Sequence, residues 1–530
     1  MSRSTFFLLS LGLAFWISRG AAAADPAASP FDPTEATIGD LQARMASGSL
    51  TARELTQAYL ERIREFDRAG PKLDAVIELN PDALAIADRL DAERRAGHVR
   101  GPLHGIPVLL KDNIGTADRM QTTAGSLALV GARPPHDAAL VARLRGAGAV
   151  ILGKTNLSEW ANFRSGTATG GWSGRGGQTL NPYALDRDPS GSSAGSAVAV
   201  AASLCAFAIG TETDGSIVSP ASTCGIVGLK PTVGLVSRTG IIPISVSQDT
   251  AGPMARTVRD EAIILGALSG TDPEDPATRS RPAGLPLDFL SALKPRALVG
   301  ARIGVVRNAF NLNRAMAAIL DQDVVALRAA GAVVVDPVDI PNQDKIGDPE
   351  GVVLTYEFRV GMRAWFASLA PSAPVHSLAQ VIAFDRAHES QEMPFFGQEG
   401  FENIEATAPV SDKAYLDALA LSRKLSRDDG IDAAMNRERL DALVAITGGP
   451  ACVIDHVNGD SNQGSSSSLA AVAGYPSITV PGGQVFGLPV GISFFGRAWS
   501  EATLLGLAAD FEDHTHARQP PGYLARAPVP

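Results

Sequence analysis

The chain has 530 residues, 45% hydrophobic and 19% charged, an ordinary globular composition that weighs against a disordered or fibrous protein. Its 46 basic and 56 acidic side chains leave a formal charge of −10, which weighs against nucleic acid and anionic membrane as partners. Three cysteines, Cys205, Cys224 and Cys452, rule out a disulfide scaffold because one bridge at most can form. No Cys/His spacing marks a zinc site, and neither a metal nor a cofactor is expected.

The first residues read as an export signal. Arg3, the apolar run Phe6–Ser18 and Ala22-Ala23-Ala24 before Asp25 fit a signal peptide over residues 1–24. The run is too short for a comfortable transmembrane helix, so an exported, periplasmic or secreted product without stable membrane association is expected. The remainder, residues 25–530, reads as one domain, beginning with a flexible stretch at 25–35. Helical patterns follow at Ile38–Ala46, Thr51–Phe66, which opens on the capping box Thr51-Ala52-Arg53-Glu54, and Pro81–Ala96.

Strands and helices then alternate. Ile106–Leu110 reads as a strand ending in Lys111, Asp137–Arg145 as a helix with Gly146 as its C-cap, and Ala149–Leu152 as a strand. The alanine-rich stretch Gly195–Ile209 reads as one buried helix. Arg302–Val306, Ala332–Val335, Leu443–Ile446, Ser477–Val480 and Val490–Phe494 read as later strands. The pattern predicts an α/β fold with a parallel or mixed sheet covered by helices. Residues 165–196 form a long Gly/Ser-rich loop of the kind that carries function. Residues 268–295 read as a surface connection, and 385–410 as a lid or substrate wall. Phe395, Phe396, Phe401 and Trp172 are candidates for an acyl pocket, although such aromatics more often pack.

Three motifs compete for the chemistry. Gly148-Ala149-Val150-Ile151-Leu152-Gly153-Lys154-Thr155 matches G-x-x-x-x-G-K-[ST], but its four middle residues are the expected strand, so a phosphate cradle is not expected. Gly191-Ser192-Ser193-Ala194-Gly195 matches the esterase pattern G-x-S-x-G with Ser193 as nucleophile. No strand precedes it, and His456, His514 and His516 lack a context for a partner role. The third motif is a lysine at a strand end. Lys111 either emerges into solvent or is buried with a lowered pKa and serves as a base; these residues alone do not choose.

Several runs in order carry a resemblance. They are Gly101-Pro102-Leu103-His104-Gly105-Ile106-Pro107 leading to Lys111-Asp112-Asn113, then Gly153-Lys154-Thr155-Asn156-Leu157-Ser158-Glu159, Gly191-Ser192-Ser193 and Gly215-Ser216-Ile217. Leu229-Lys230-Pro231-Thr232, Gly252-Pro253-Met254 and Ala473-Gly474-Tyr475-Pro476 continue it. Together they resemble the amidase signature family across nearly all of residues 25–530. Within that family, Thr211-Glu212-Thr213-Asp214-Gly215-Ser216-Ile217-Val218 and Val457-Asn458-Gly459-Asp460 look most like bacterial peptide amidases, which act on C-terminal carboxamides.

The resemblance implies a single α/β domain with a central mixed, twisted sheet, and a Ser-Ser-Lys triad. Ser216 is then the nucleophile, Ser192 the bridging serine and Lys111 the base. The backbone N–H groups of Thr213, Asp214, Gly215 and Ser216 form the oxyanion hole. The bridging serine is expected in a cis peptide, at Gly191–Ser192 or Ser192–Ser193. Ser193 and Ser196 are expected to satisfy backbone groups near a helix start. Glu212 is expected to be a supporting residue or a buried acid paired to some base. The Asp214 side chain, in place of a common glycine, is expected to narrow the pocket. Val218 stands where many members carry an arginine, which argues against glutamine-like substrates. A peptide amide or other small amide is the implied substrate. A broad aliphatic, aryl or fatty acid amidase and a Ser193 esterase are the alternatives.

Overall fold

The computed structural model describes residues 1, 31–406, 411–461 and 464–529. The expected signal segment therefore falls almost wholly outside the described residues. The helices α1 (Ile38–Ser47), α2 (Ala52–Arg62), α3 (Ala83–Arg95) and α4 (Ala139–Gly146) lie close to their expected positions. Thr51 and Glu54 form the anticipated capping box at the start of α2. Two boundaries differ. The end of α2 widens into a π-helical turn, Ile63–Asp67, and α4 runs through Gly146, so that Ala147 is its C-cap.

Eleven strands form one mixed sheet. In chain order they are β1 (Val76–Leu79), β2 (Pro107–Lys111), β3 (Val150–Thr155), β4 (Phe207–Glu212), β5 (Val227–Lys230), β6 (Thr250–Ala255), β7 (Arg302–Val305), β8 (Val333–Val335), β9 (Ala442–Ile446), β10 (Ser477–Val485) and β11 (Leu488–Phe495). Their order across the sheet is β1-β3-β2-β4-β6-β5-β10-β11-β9-β7-β8. The pairs β3–β2, β2–β4, β9–β7 and β7–β8 are parallel and the others antiparallel. The central strands β2, β3, β4, β5 and β6 are buried along their whole length, which explains their continuous apolar runs in place of a polar alternation. The phosphate-motif lookalike lies inside β3, with Lys154 buried and donating to Ile114 O at 2.6 Å and Thr122 Oγ1 at 2.9 Å.

The stretch expected as one helix, Gly195–Ile209, is two elements. Helix α5 (Ala194–Ala201) ends in a turn, and β4 starts at Phe207. Small residues let α5 seat closely: a Cβ on Gly195 would stand 2.3 Å from Ala75 O and 2.5 Å from Asn156 O. Strand β4 then delivers residues 211–216 to the middle of the sheet, and α6 (Val218–Thr223) begins directly after Ser216. Over this end of the sheet lies a helical cap that includes Gly347–Ser368, Leu378–Ala387 and Glu399–Ala406. Its core joins Trp160, Ile242 and Ile244 to Phe358, Met362 and Phe401.

Candidate active site

The end of β2, the loop before α5 and the turn after β4 converge. Lys111 is the last residue of β2 and is fully buried. Its Nζ lies 2.7 Å from Ser192 Oγ, 2.9 Å from Thr211 Oγ1 and 3.2 Å from Thr211 O. Asn113 Nδ2 also donates to Thr211 Oγ1, at 3.0 Å. Burial lowers the lysine to about 7, against the opposing pull of Glu212 and Asp249. Of the two readings of Lys111, the structure thus gives the buried one.

Ser192 is also buried, and its carbonyl accepts from Ser158 N–H at 3.2 Å. The cis peptide is Gly191–Ser192. Ser193 N–H donates to Ser216 O at 3.1 Å, tying the Ser192 segment to the turn that carries Ser216. Among the described residues, no protein acceptor takes the N–H groups of Thr213, Asp214, Gly215 and Ser216. Gly215 has φ 79°, which favours glycine, and a Cβ there would approach Ser219 Oγ and Ser467 Oγ at 3.0 Å.

Glu212, at the end of β4, folds beneath this turn. Its Oε2 accepts from Ile217 N–H at 2.7 Å and Val218 N–H at 3.0 Å. Burial raises its carboxyl, and Lys230 is the strongest opposing charge; Lys230 itself is lowered to about 8 by burial. Lys230 Nζ donates to Pro231 O at 3.2 Å, and Glu212 Oε1 has no hydrogen-bond partner among the described residues, so Glu212 supports the turn rather than pairing directly with a base. Asp214 turns its carboxylate away from the turn's amides and accepts Ser467 Oγ–H and Ser468 Oγ–H, both at 2.5 Å.

A cavity of about 660 Å³ opens in front of Ser216. Gly191, Asp214 and Ser219 border it nearby, and Thr167, Asp188, Asn458 and Asp460 lie along its walls. Phe395, Phe396, Phe401 and Trp172 do not line it. Trp172 packs edge-on against Phe395 and Phe396 at 5.7 and 5.1 Å, and Phe401 packs against Trp160 at 5.6 Å. These are packing roles, and the acyl-pocket expectation is corrected accordingly.

The esterase constellation does not assemble. Ser193 Oγ is buried and exchanges hydrogen bonds with Thr211, donating to its carbonyl at 3.1 Å and accepting from its N–H at 3.2 Å. Ser196 Oγ bonds Thr155 Oγ1 at 2.7 Å and Ile209 O at 3.2 Å. Both serines thus satisfy backbone groups as expected, but those of β4 rather than of the helix start, and so tie α5 to the sheet. His456 bonds Gln178 Oε1 at 3.0 Å and His514 bonds Asp510 O at 2.6 Å, while His516 sits at a helix C-terminus. All three cysteines are free, with Cys205 and Cys224 buried. Among the described residues, no helix is long and apolar enough to cross a membrane.

The chain is similar to known amidases over most of its length. A profile described as Amidase matches residues 54–505. A probable amidase of Arabidopsis thaliana is 43% identical over 528 residues, covering 98% of this chain and 97% of the relative. The crystal structure of native peptide amidase from Stenotrophomonas maltophilia superposes with a TM-score of 0.88 at 55% identity, covering 92% of this chain and 99% of the other. An amidase family protein from Bacillus anthracis is more distant, with a TM-score of 0.83 at 36% identity over 92% of each chain.

Proposed function

The chain belongs to the amidase signature family of amide-hydrolysing enzymes, and from that premise we propose an exported serine amidohydrolase that releases ammonia from the C-terminal carboxamide of peptides. The observation that carries this reading is the buried Lys111 Nζ, 2.7 Å from Ser192 Oγ. A neutral lysine has two protons and one lone pair. With the protons directed at Thr211 O and Thr211 Oγ1, the lone pair faces the Ser192 hydroxyl.

In this mechanism Lys111 takes the Ser192 proton as Ser192 takes that of Ser216. Ser216 Oγ attacks the amide carbon, and the free N–H groups of residues 213–216 meet the oxyanion. Because those donors stand in a turn fixed by Glu212 and by the Ser193–Ser216 bond, little reorganisation accompanies the reaction. The proton passes back through Ser192 to the nitrogen, the C–N bond breaks and ammonia leaves. Water then attacks the ester carbon of the acyl-enzyme, gives its proton along the same relay and regenerates Ser216.

The likeness to a peptide amidase and the polar cavity support a peptide amide as substrate. Val218, buried at the start of α6, leaves no guanidinium to receive a substrate carboxylate there. Export rests on the leader pattern of residues 1–24. A second reading, a broader amidase that also takes aryl amides, draws on a smaller apolar hollow of about 250 Å³ bordered by Thr211, Thr213, Ile242 and Ile244. Ammonia release from a panel of peptide, aliphatic and aryl amides tests both. Turnover of peptide amides above the others is expected, and turnover of aryl or fatty amides alone would contradict the peptide reading.

A further inference from the structure

The charged lining of the cavity is acidic only. Asp188, Asp214 and Asp460 contribute to it and, among the described residues, no lysine, arginine or histidine does. The serine pair described above answers Asp214. Asp188 and Asp460 are not answered in this way. Asp188 is only 2% exposed. Its Oδ1 accepts from Ser190 N–H, while no donor among the described residues reaches its Oδ2. Asp460 Oδ2 accepts from Gly170 N–H at 2.6 Å, and its Oδ1 is likewise without a donor.

A carboxylate oxygen of each aspartate and Cys452 Sγ lie within 4.8 Å of one another. Basic groups nearby are engaged elsewhere: His456 bonds Gln178, and Arg187 faces Asp186 at 3.4 Å. Burial and the facing Asp460 hold the Asp188 carboxyl well above its usual range. A buried carboxylate facing a half-buried one without a countercharge is a costly arrangement that a bound cation would relieve.

We propose that Asp188 and Asp460 form a subsite for a positively charged group of the substrate, the free terminal ammonium or a basic side chain of a short peptide amide. The proposal rests on the peptide-amide reading above. The incoming N–H donors take the two oxygens that lack a partner. The same acidic wall repels carboxylates and so favours departure of the peptide acid product over its retention.

The test compares kcat/KM for matched short peptide amides, one with a free amino terminus and one N-acetylated, at neutral pH. The wild-type enzyme is expected to favour the free amine by about tenfold or more, mainly through KM. Asp188→Asn and Asp460→Asn keep a side-chain oxygen for Ser190 and Gly170 N–H but lose the charge, and are expected to bring the ratio close to one. Equal rates in the wild type, which needs no variant to fold, would overturn the subsite. So would a preference that survives both substitutions, or one abolished by EDTA, which would assign the pair to a metal ion. Hydrolysis of simple aliphatic amides with no turnover of either peptide would remove the peptide-amide reading itself, and the subsite with it.

Discussion

Lys111 is charged below about 7 and neutral above it, because burial disfavours the ammonium. A base has to be neutral, so kcat/KM is expected to fall as pH drops through about 7 and to level off above it. Lys111→Arg, which stays charged at any working pH, is expected to be inactive throughout the profile while the protein remains folded. Residue type and order of motifs singled out Lys111, Ser192 and Ser216, and the structure brings the first two into hydrogen-bond contact. The burial of Lys111 was not legible in the sequence, since a lysine after an apolar run reads equally well as solvent-facing. Thr211 and Asn113, which fix the lysine, escaped notice because a threonine in a strand and an asparagine after one carry no chemical signal of their own. Ser193 was conspicuous for the opposite reason: its surroundings spell a motif, yet its hydroxyl is fully engaged by Thr211.

At the level of elements, the turn between β4 and α6 depends on Glu212. Its carboxylate holds the N–H groups just after Ser216 and lies close enough to Lys111 to raise that lysine's affinity for a proton. Glu212→Gln keeps an acceptor but removes the charge, so the acidic limb of the pH profile should move to lower pH; a role confined to packing would leave the limb in place. Glu212→Ala removes the acceptor as well and should lower kcat by up to about a hundredfold through loss of positioning. Helix α5 gives a test of packing. Gly195→Ala would drive a methyl group into the backbone at Ala75 and Asn156, with a cost of about 1–3 kcal/mol or more, read from the midpoint of urea unfolding. The same crowding explains why α5 and β4 merged into one expected helix. Every residue from 194 to 211 is buried, so neither a 3.6-residue nor a 2-residue alternation of polarity survives to separate them.

Across the whole molecule, the sheet supplies the catalytic end and the helical cap closes over it. Arg164 fastens the two: it is fully buried, pairs with Glu159, lies 3.5 Å from Glu392 on the cap side and sits 4.6 Å above the ring of Phe396. Arg164→Ala would strand two buried carboxylates, and a loss of about 3–5 kcal/mol in stability is expected by denaturant unfolding. The α/β class and the later strands were readable from alternating apolar runs, and 385–410 was expected as a lid or substrate wall, whereas the packing of the cap was not readable, because its core joins residues far apart in the chain, such as Trp160 and Ile242 with Phe358 and Phe401. In the proposed mechanism one serine, activated by lysine through a second serine, does the chemistry. A serine-reactive fluorophosphonate probe followed by peptide mapping tests it most directly. Label is predicted on Ser216 alone and is predicted to vanish in Lys111→Arg, while label on Ser193, or undiminished label on Ser216 in that variant, would contradict the account.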